Sequence, residues 1–129
     1  MVSNDWIESK EPDILTKHLR EVVNVSWNFA KRCRNWDDEV MNATLGLGGE
    51  AGETVDTVKK MVFHSPKPVD FFRSKIILEL GDVLYYVCKI MDLFHVTPEE
   101  VLAANRAKLE SRHPEHGKVQ ERFGEGYIK

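Results

Sequence analysis

Two short stretches of this chain carry carboxylates at a helical spacing: Glu50 and Glu53 in G-G-E-A-G-E, then Glu79 and Asp82 in E-L-G-D. An α-helix turns about 100° per residue, so side chains three positions apart share a face and stand one turn from each other. Each pair therefore aims two acids in one direction. If the two helices pack antiparallel, the pairs converge into a cluster of up to four negative charges. Such a cluster repels itself unless a hard divalent cation neutralises it. All-oxygen donors favour Mg²⁺, with Mn²⁺ able to substitute, and Mg²⁺ keeps coordination positions open for substrate phosphates. These residues point to a magnesium-dependent reaction on a phosphorylated small molecule.

The elements that must position the acids read as helices almost throughout. A loose lead-in precedes a first helix opened by Pro12 and Asp13 and running to about Arg34, with apolar residues from Ile14 to Cys33 at three-and-four spacing. Asn35 to Asp38 reads as a break, with Asp37 or Asp38 capping a second helix that reaches Phe63. Val40, Leu47, Ala51, Val55, Val58 and Val62 form the apolar stripe of that helix, and Glu50 and Glu53 lie at its margin. Gly46, Gly48, Gly49 and Gly52 weaken this helix by roughly 1 kcal/mol each relative to alanine. We read them as sites of close packing beside the acids; the alternative is a break at Gly48-Gly49.

Pro66 and Pro68 end the second helix. A third spans about Asp70 to Phe94, with Glu79 and Asp82 flanking its apolar face. Thr97, Pro98 and Glu100 give the fourth a cap, a proline in the first turn and a capping box. The expectation is a single all-α domain over 1–129, a four-helix bundle with its core at about 13–113 and a tail at 114–129. A ferritin-like di-iron site requires Glu-x-x-His, and no histidine follows the acids at that spacing. His64 and His95 sit at helix ends, and His18, His113 and His116 read as surface residues.

Composition bounds the classes open to the chain. Its 129 residues are 42% hydrophobic and 30% charged, ordinary for a globular domain, and the net charge of −3 argues against a polymeric nucleic-acid partner. Cys33 and Cys88 lie far apart in helical patterns, which fits a reducing cytoplasm. Neither a signal peptide nor a transmembrane segment is expected.

The segments GLGGEAGETVDTVKK and ELGDVLYYVCKIMDLFHVTPEEVLAANRAKLESRHP resemble the MazG-type nucleoside triphosphate pyrophosphohydrolases of the all-α NTP pyrophosphatase superfamily. The likeness runs from about Phe29 to Pro114. It includes the acidic quartet, the G-E-x-G-E context and the N-x-x-K-L-x-x-R-x-P end. The resemblance implies a four-helix core assembled as a dimer or a dimer of dimers. It also implies Mg²⁺ dependence and hydrolysis of an NTP or dNTP to the monophosphate and pyrophosphate, with many relatives clearing modified or surplus nucleotides. Carried over by residue, Glu50, Glu53, Glu79 and Asp82 would be the metal ligands, and Glu50 or Glu53 would also activate water. Asn105 and Lys108 match the N-x-x-K, with Arg112 one turn further, and would bind phosphate.

Base and sugar contacts are less sharply written. Trp36 and Phe29 offer stacking surfaces, and Asn42 could read a base edge; some dCTP-specific relatives carry a similar W…N segment. Tyr86, one turn beyond Asp82, could bond a sugar or pack. Lys31, Arg34, Lys59 and Lys60 could meet phosphates from a second subunit. The rival readings are a dCTP- or dUTP-specific pyrophosphatase, a phosphoribosyl-ATP hydrolase, and a non-enzymatic helical module that binds a nucleotide or a protein.

Overall fold

The computed structural model of the chain describes residues 13–22, 32–64 and 66–114. They form four α-helices and, among the described residues, no strand: α1 Ile14–Val22, α2 Trp36–Phe63, α3 Val69–Phe94 and α4 Pro98–Arg112. The fold class is all-α. The expected continuation of the first helix to Arg34, with Trp27, Phe29 and Lys31, falls largely outside the described residues, as do His116 and the rest of the tail from residue 115.

The helix ends follow from side chains that satisfy free backbone N–H groups. Asp13 accepts a hydrogen bond from the Thr16 backbone N–H at 2.7 Å and opens α1. Asn35, not Asp37 or Asp38, caps α2: its Oδ1 accepts the Asp38 N–H at 2.9 Å, so the helix begins at Trp36. Asp38 is engaged elsewhere, accepting from the Arg34 backbone N–H and Nε at 2.9 and 3.0 Å. Both aspartates still lie in the first turn, where they complement the helix dipole. α2 runs unbroken through Gly48-Gly49.

α3 ends in a left-handed turn at His95, with φ at 52°. There the His95 N–H bonds to the Asp92 and Met91 carbonyls and the Val96 N–H bonds to the Met91 carbonyl, which closes the end of the helix.

α2 and α3 form an antiparallel hairpin. Their register can be read from side-chain partners: Trp36 meets Leu93 and Phe94, Gly46 meets Tyr86, and Glu50 meets Glu79 and Asp82. Ala43 and Thr57 on α2 and Phe72 on α3 are buried. α1 packs on the C-terminal half of α3, where Leu19, Cys88 and Met91 make a small core flanked by Leu15, Val22 and Val87. Burying a side chain such as Leu19 contributes about 2 kcal/mol. Burial also pushes the Cys88 thiol up, away from a reactive thiolate.

The apolar stripe expected for α2 is not its buried line. Val55, Val58 and Val62 are 67, 41 and 59% exposed. The buried line passes instead through Ala43 and Thr57, on the side that also carries Glu50. α2 has two apolar rows, and the row of small and polar residues is the one that faces α3. The larger row, with Met41, Leu45, Val55, Val62 and Phe63, faces outward.

A division between Val96 and Thr97 separates a second compact unit containing α4. Its start is the predicted capping box: Thr97 Oγ1 accepts the Glu100 N–H at 3.2 Å, and Glu100 Oε2 accepts the Thr97 N–H at 2.7 Å. Pro98 stands in the first turn. No described helix is long and apolar enough to cross a membrane.

Candidate metal and substrate site

Glu50 of α2 and Glu79 and Asp82 of α3 bring one carboxylate oxygen each into a group whose members lie within 4.8 Å of one another. The antiparallel register does this, because it sets Glu50 against the E-L-G-D turn of the facing helix. An octahedral Mg²⁺ with oxygens at about 2.1 Å holds neighbouring ligands about 3 Å apart and opposite ones about 4 Å apart. Small side-chain rotations would close the trio on such an ion. The donor set is all oxygen, which suits a hard divalent cation.

Glu50 and Glu79 are half-buried and Asp82 is exposed. Burial pushes the Glu50 carboxyl above its usual range, and the charges of Asp82, Glu79 and Glu53 push it further. Among the described residues, the salt bridges leave these three acids without a cationic partner. Three like charges are thus held together by helix packing rather than by neutralisation, which favours a cation there.

The three-residue spacing places Glu53 on the face of α2 that carries Glu50. It is exposed and stands outside the trio, one turn further along α2. Its charge still reaches Glu50. It also adds to the effect of Asp56, the main group holding the Lys60 ammonium above its ordinary range. Lys59 and Lys60 are both bound to Asp56.

Tyr86 lies one turn after Asp82 on α3, and Gly46 lies one turn before Glu50 on α2. The two helices run in opposite directions, so both residues are displaced the same way from the acids, by about 6 Å. They meet there. A Cβ on Gly46 would fall within 2.7 Å of three atoms of the Tyr86 ring. Burial raises the Tyr86 phenol above its usual range, with further contributions from Tyr85, Glu50 and Asp82. The close packing expected for the glycine run is therefore real at Gly46. Gly48, Gly49 and Gly52 have nothing within 4 Å of where a Cβ would stand. Local sequence does not distinguish Gly46 from the other glycines of the run. The signal that finds it is the register: with Glu50 opposite Asp82, the preceding turn of α2 must face the following turn of α3.

The other candidates are spread more widely. Asn42 is half-buried, one turn before Gly46 on the same side of α2. Trp36 stands about 21 Å of helix rise before Glu50. Its indole N–H donates to the Leu93 carbonyl at 2.9 Å, and its ring meets Phe94 edge-on at 5.2 Å. The structure thus places Trp36 at the open end of the hairpin, not beside the acids of its own chain. In the second unit, Asn105, Lys108 and Arg112 share one face of α4 and, with Ala104 and Leu109, line one open concavity.

The family described as the MazG nucleotide pyrophosphohydrolase domain matches residues 39–117, more than half of the chain. "Gene 37 protein" of Mycobacterium phage L5 is 37% identical over 70 residues, which is 54% of this chain and 61% of that protein. This chain therefore spans less than two thirds of that relative. No solved structure matches. The family match covers the acids of α2 and α3 together with the N-x-x-K of α4. The chain belongs to the MazG nucleotide pyrophosphohydrolase family.

Proposed function

We propose that this protein hydrolyses a nucleoside or deoxynucleoside triphosphate to the monophosphate and pyrophosphate with Mg²⁺ bound at Glu50, Glu79 and Asp82. The observation that carries the reading is the convergence of three uncompensated carboxylates from two helices in a chain of this family. When bound, the cation supplies positive charge against the phosphate oxygens and lowers the pKa of a water in its shell.

The chain's own residues do the rest. Glu50, Glu79 and Asp82 fix the position of the charge. Glu53, near the trio but outside it, is free to accept the proton of the water that attacks the α-phosphorus. Glu50 is the alternative base. Asn105, Lys108 and Arg112 bind phosphate; their shared face on α4 supports this role. Lysine and arginine there stabilise the charge that develops on departing pyrophosphate. Asn42 and Tyr86 contact base and sugar, and Trp36 stacks on a base only where a second copy brings it to a site. No covalent nucleophile is needed, because phosphoryl transfer of this kind depends on positioning and charge.

The reading includes a homo-oligomer, a dimer or a dimer of dimers. Met41, Leu45, Val55, Val62 and Phe63 are 59 to 76% exposed along one side of α2. Gly48 and Gly52, open on that same side, leave room for a second helix. Apolar patches of this kind mark contact surfaces. A sharp monomer mass in solution would refute the assembly.

The family match runs from α2 through α4, which supports one functional domain across both units. A house-cleaning role in the cytoplasm, with a nucleotide rather than a membrane or a nucleic-acid polymer as partner, completes the proposal. The test is pyrophosphate release from a panel of standard and modified NTPs and dNTPs, with and without Mg²⁺. Turnover confined to dCTP or dUTP would narrow the substrate to that nucleotide. No turnover of any substrate would leave the non-enzymatic binding module as the better reading.

A further inference from the structure

The glycine run of α2 is uniform in sequence and divided in structure. Three of its glycines face open space, whereas Gly46 lies under the ring of Tyr86. The contact falls one turn from the acids on both helices, at the edge of the proposed metal site. Any side chain at this position would occupy the volume of the ring. The ring is the far end of a side chain with two rotatable bonds, so it would swing rather than compress.

We infer that Gly46 is a positioning residue of this site: its bare backbone is the seat on which Tyr86 rests, and that seat holds the phenol beside Glu50 and Asp82 as one wall of the substrate pocket. The inference rests on the metal-site reading given above. Its content is separate, however, because it assigns the position of Tyr86 to the lack of a side chain on the facing helix. An ordinary helical glycine predicts the opposite of a functional cost: alanine has the higher helix propensity and should only stabilise. Gly49, which has nothing within 4 Å of where a Cβ would stand, provides that internal comparison in the same helix.

The test places 3-fluorotyrosine at position 86 of the full chain and follows its ¹⁹F resonance as Mn²⁺ is added. Paramagnetic broadening falls steeply with distance, so it reports how close the ring stands to a bound ion. Read at substoichiometric Mn²⁺, the expected result is a large paramagnetic relaxation rate in the unmutated chain and in Gly49→Ala, and a severalfold smaller rate in Gly46→Ala, since the rate falls with the inverse sixth power of distance. Nucleotide KM should rise severalfold in Gly46→Ala. In a Tyr86→Ala background, where the ring is gone, Gly46→Ala should leave KM unchanged and raise Tm. This double variant keeps the inference testable should Gly46→Ala alone fold poorly.

Equal paramagnetic relaxation rates in Gly46→Ala and the unmutated chain would overturn the role of Gly46 while leaving the metal site standing. A KM rise of the same size in the Tyr86→Ala background would overturn it too. No broadening in the unmutated chain would overturn the metal site itself and, with it, the placing of Tyr86 beside it.

Discussion

At the open end of the α2–α3 hairpin, the Trp36 indole N–H bonds the Leu93 carbonyl and the ring edges onto Phe94. Several turns along the same two helices, Glu50, Glu79 and Asp82 crowd together with no cation paired to them among the described residues. The first arrangement lowers the energy of the fold. It supplies a donor to one of the last carbonyls of α3, which has no partner within its own helix. The second raises that energy, since like charges in a half-buried place repel. One hairpin therefore contains a clasp that holds its helices in register and a site that this register forces into an unfavourable state. The cost of the site is a reason to regard it as functional, and the clasp is a reason it can persist.

The largest effects should come from breaking the costly region. Glu79→Gln should reduce pyrophosphate release by on the order of 10³-fold, because it removes charge that positions the cation. Measured without metal, its Tm should rise, because repulsion is relieved. A neutral variant that lost both activity and stability would mean that the acids support the fold rather than the chemistry.

pH sharpens the same point. The Glu50 carboxyl is raised in the folded chain, first by burial and then by its acidic neighbours. The folded state therefore holds a proton that the unfolded chain has released over the window between the ordinary carboxylate value and the raised one. In metal-free protein this contribution to stability is complete below the ordinary value, declines as pH rises through the Glu50 titration, and is absent above it. Denaturant titrations across that range should show the decline. They should lose it in Glu50→Gln, and excess Mg²⁺ should restore stability at neutral pH by binding the folded state.

The clasp should respond in the other sense. Trp36→Ala should cost about 2 kcal/mol, less than a fully buried tryptophan because the side chain is 48% exposed, and Trp36→Phe about 1 kcal/mol for the lost hydrogen bond. Activity per folded molecule should hold in Trp36→Phe. A loss of nucleotide binding in that variant at unchanged stability would instead give the indole a role at a site.

The smallest effect lies at the end of α3. His95 sits at φ 52°, a conformation that a non-glycine residue adopts at some cost. His95→Gly should raise stability by less than about 1 kcal/mol, read as a slightly higher denaturant midpoint, with turnover unchanged.

Local signals in the sequence carried much of this. The capping box at Thr97 and the prolines Pro66 and Pro68 needed only neighbours in the chain, and they marked the start of α4 and the break between α2 and α3. The acidic pairs were legible because a three-residue spacing fixes a face whatever the helix packs against. The features that escaped depend on facts outside the local sequence. Asn35, Asp37 and Asp38 are each residue types that cap helices, and local sequence does not say which of three near neighbours takes the cap that Asn35 holds. Val55 and Val62 are as apolar as any core stripe, yet periodicity cannot say which of two apolar rows meets α3 and which faces outward. Glu53 shares a face with Glu50, yet which acids on that face converge with those of α3 depends on the packing of the two helices, and the converging trio is Glu50, Glu79 and Asp82. Gly46 differs from its neighbours only through a residue forty positions away.

The most direct test of the central claim is an anomalous-difference map from crystals of the full chain grown with Mn²⁺. The account predicts a strong peak bounded by carboxylate oxygens of Glu50, Glu79 and Asp82, lost in crystals of Glu79→Gln. A map with no peak there, or with the ion bound by other groups while these three acids point into solvent, would contradict it.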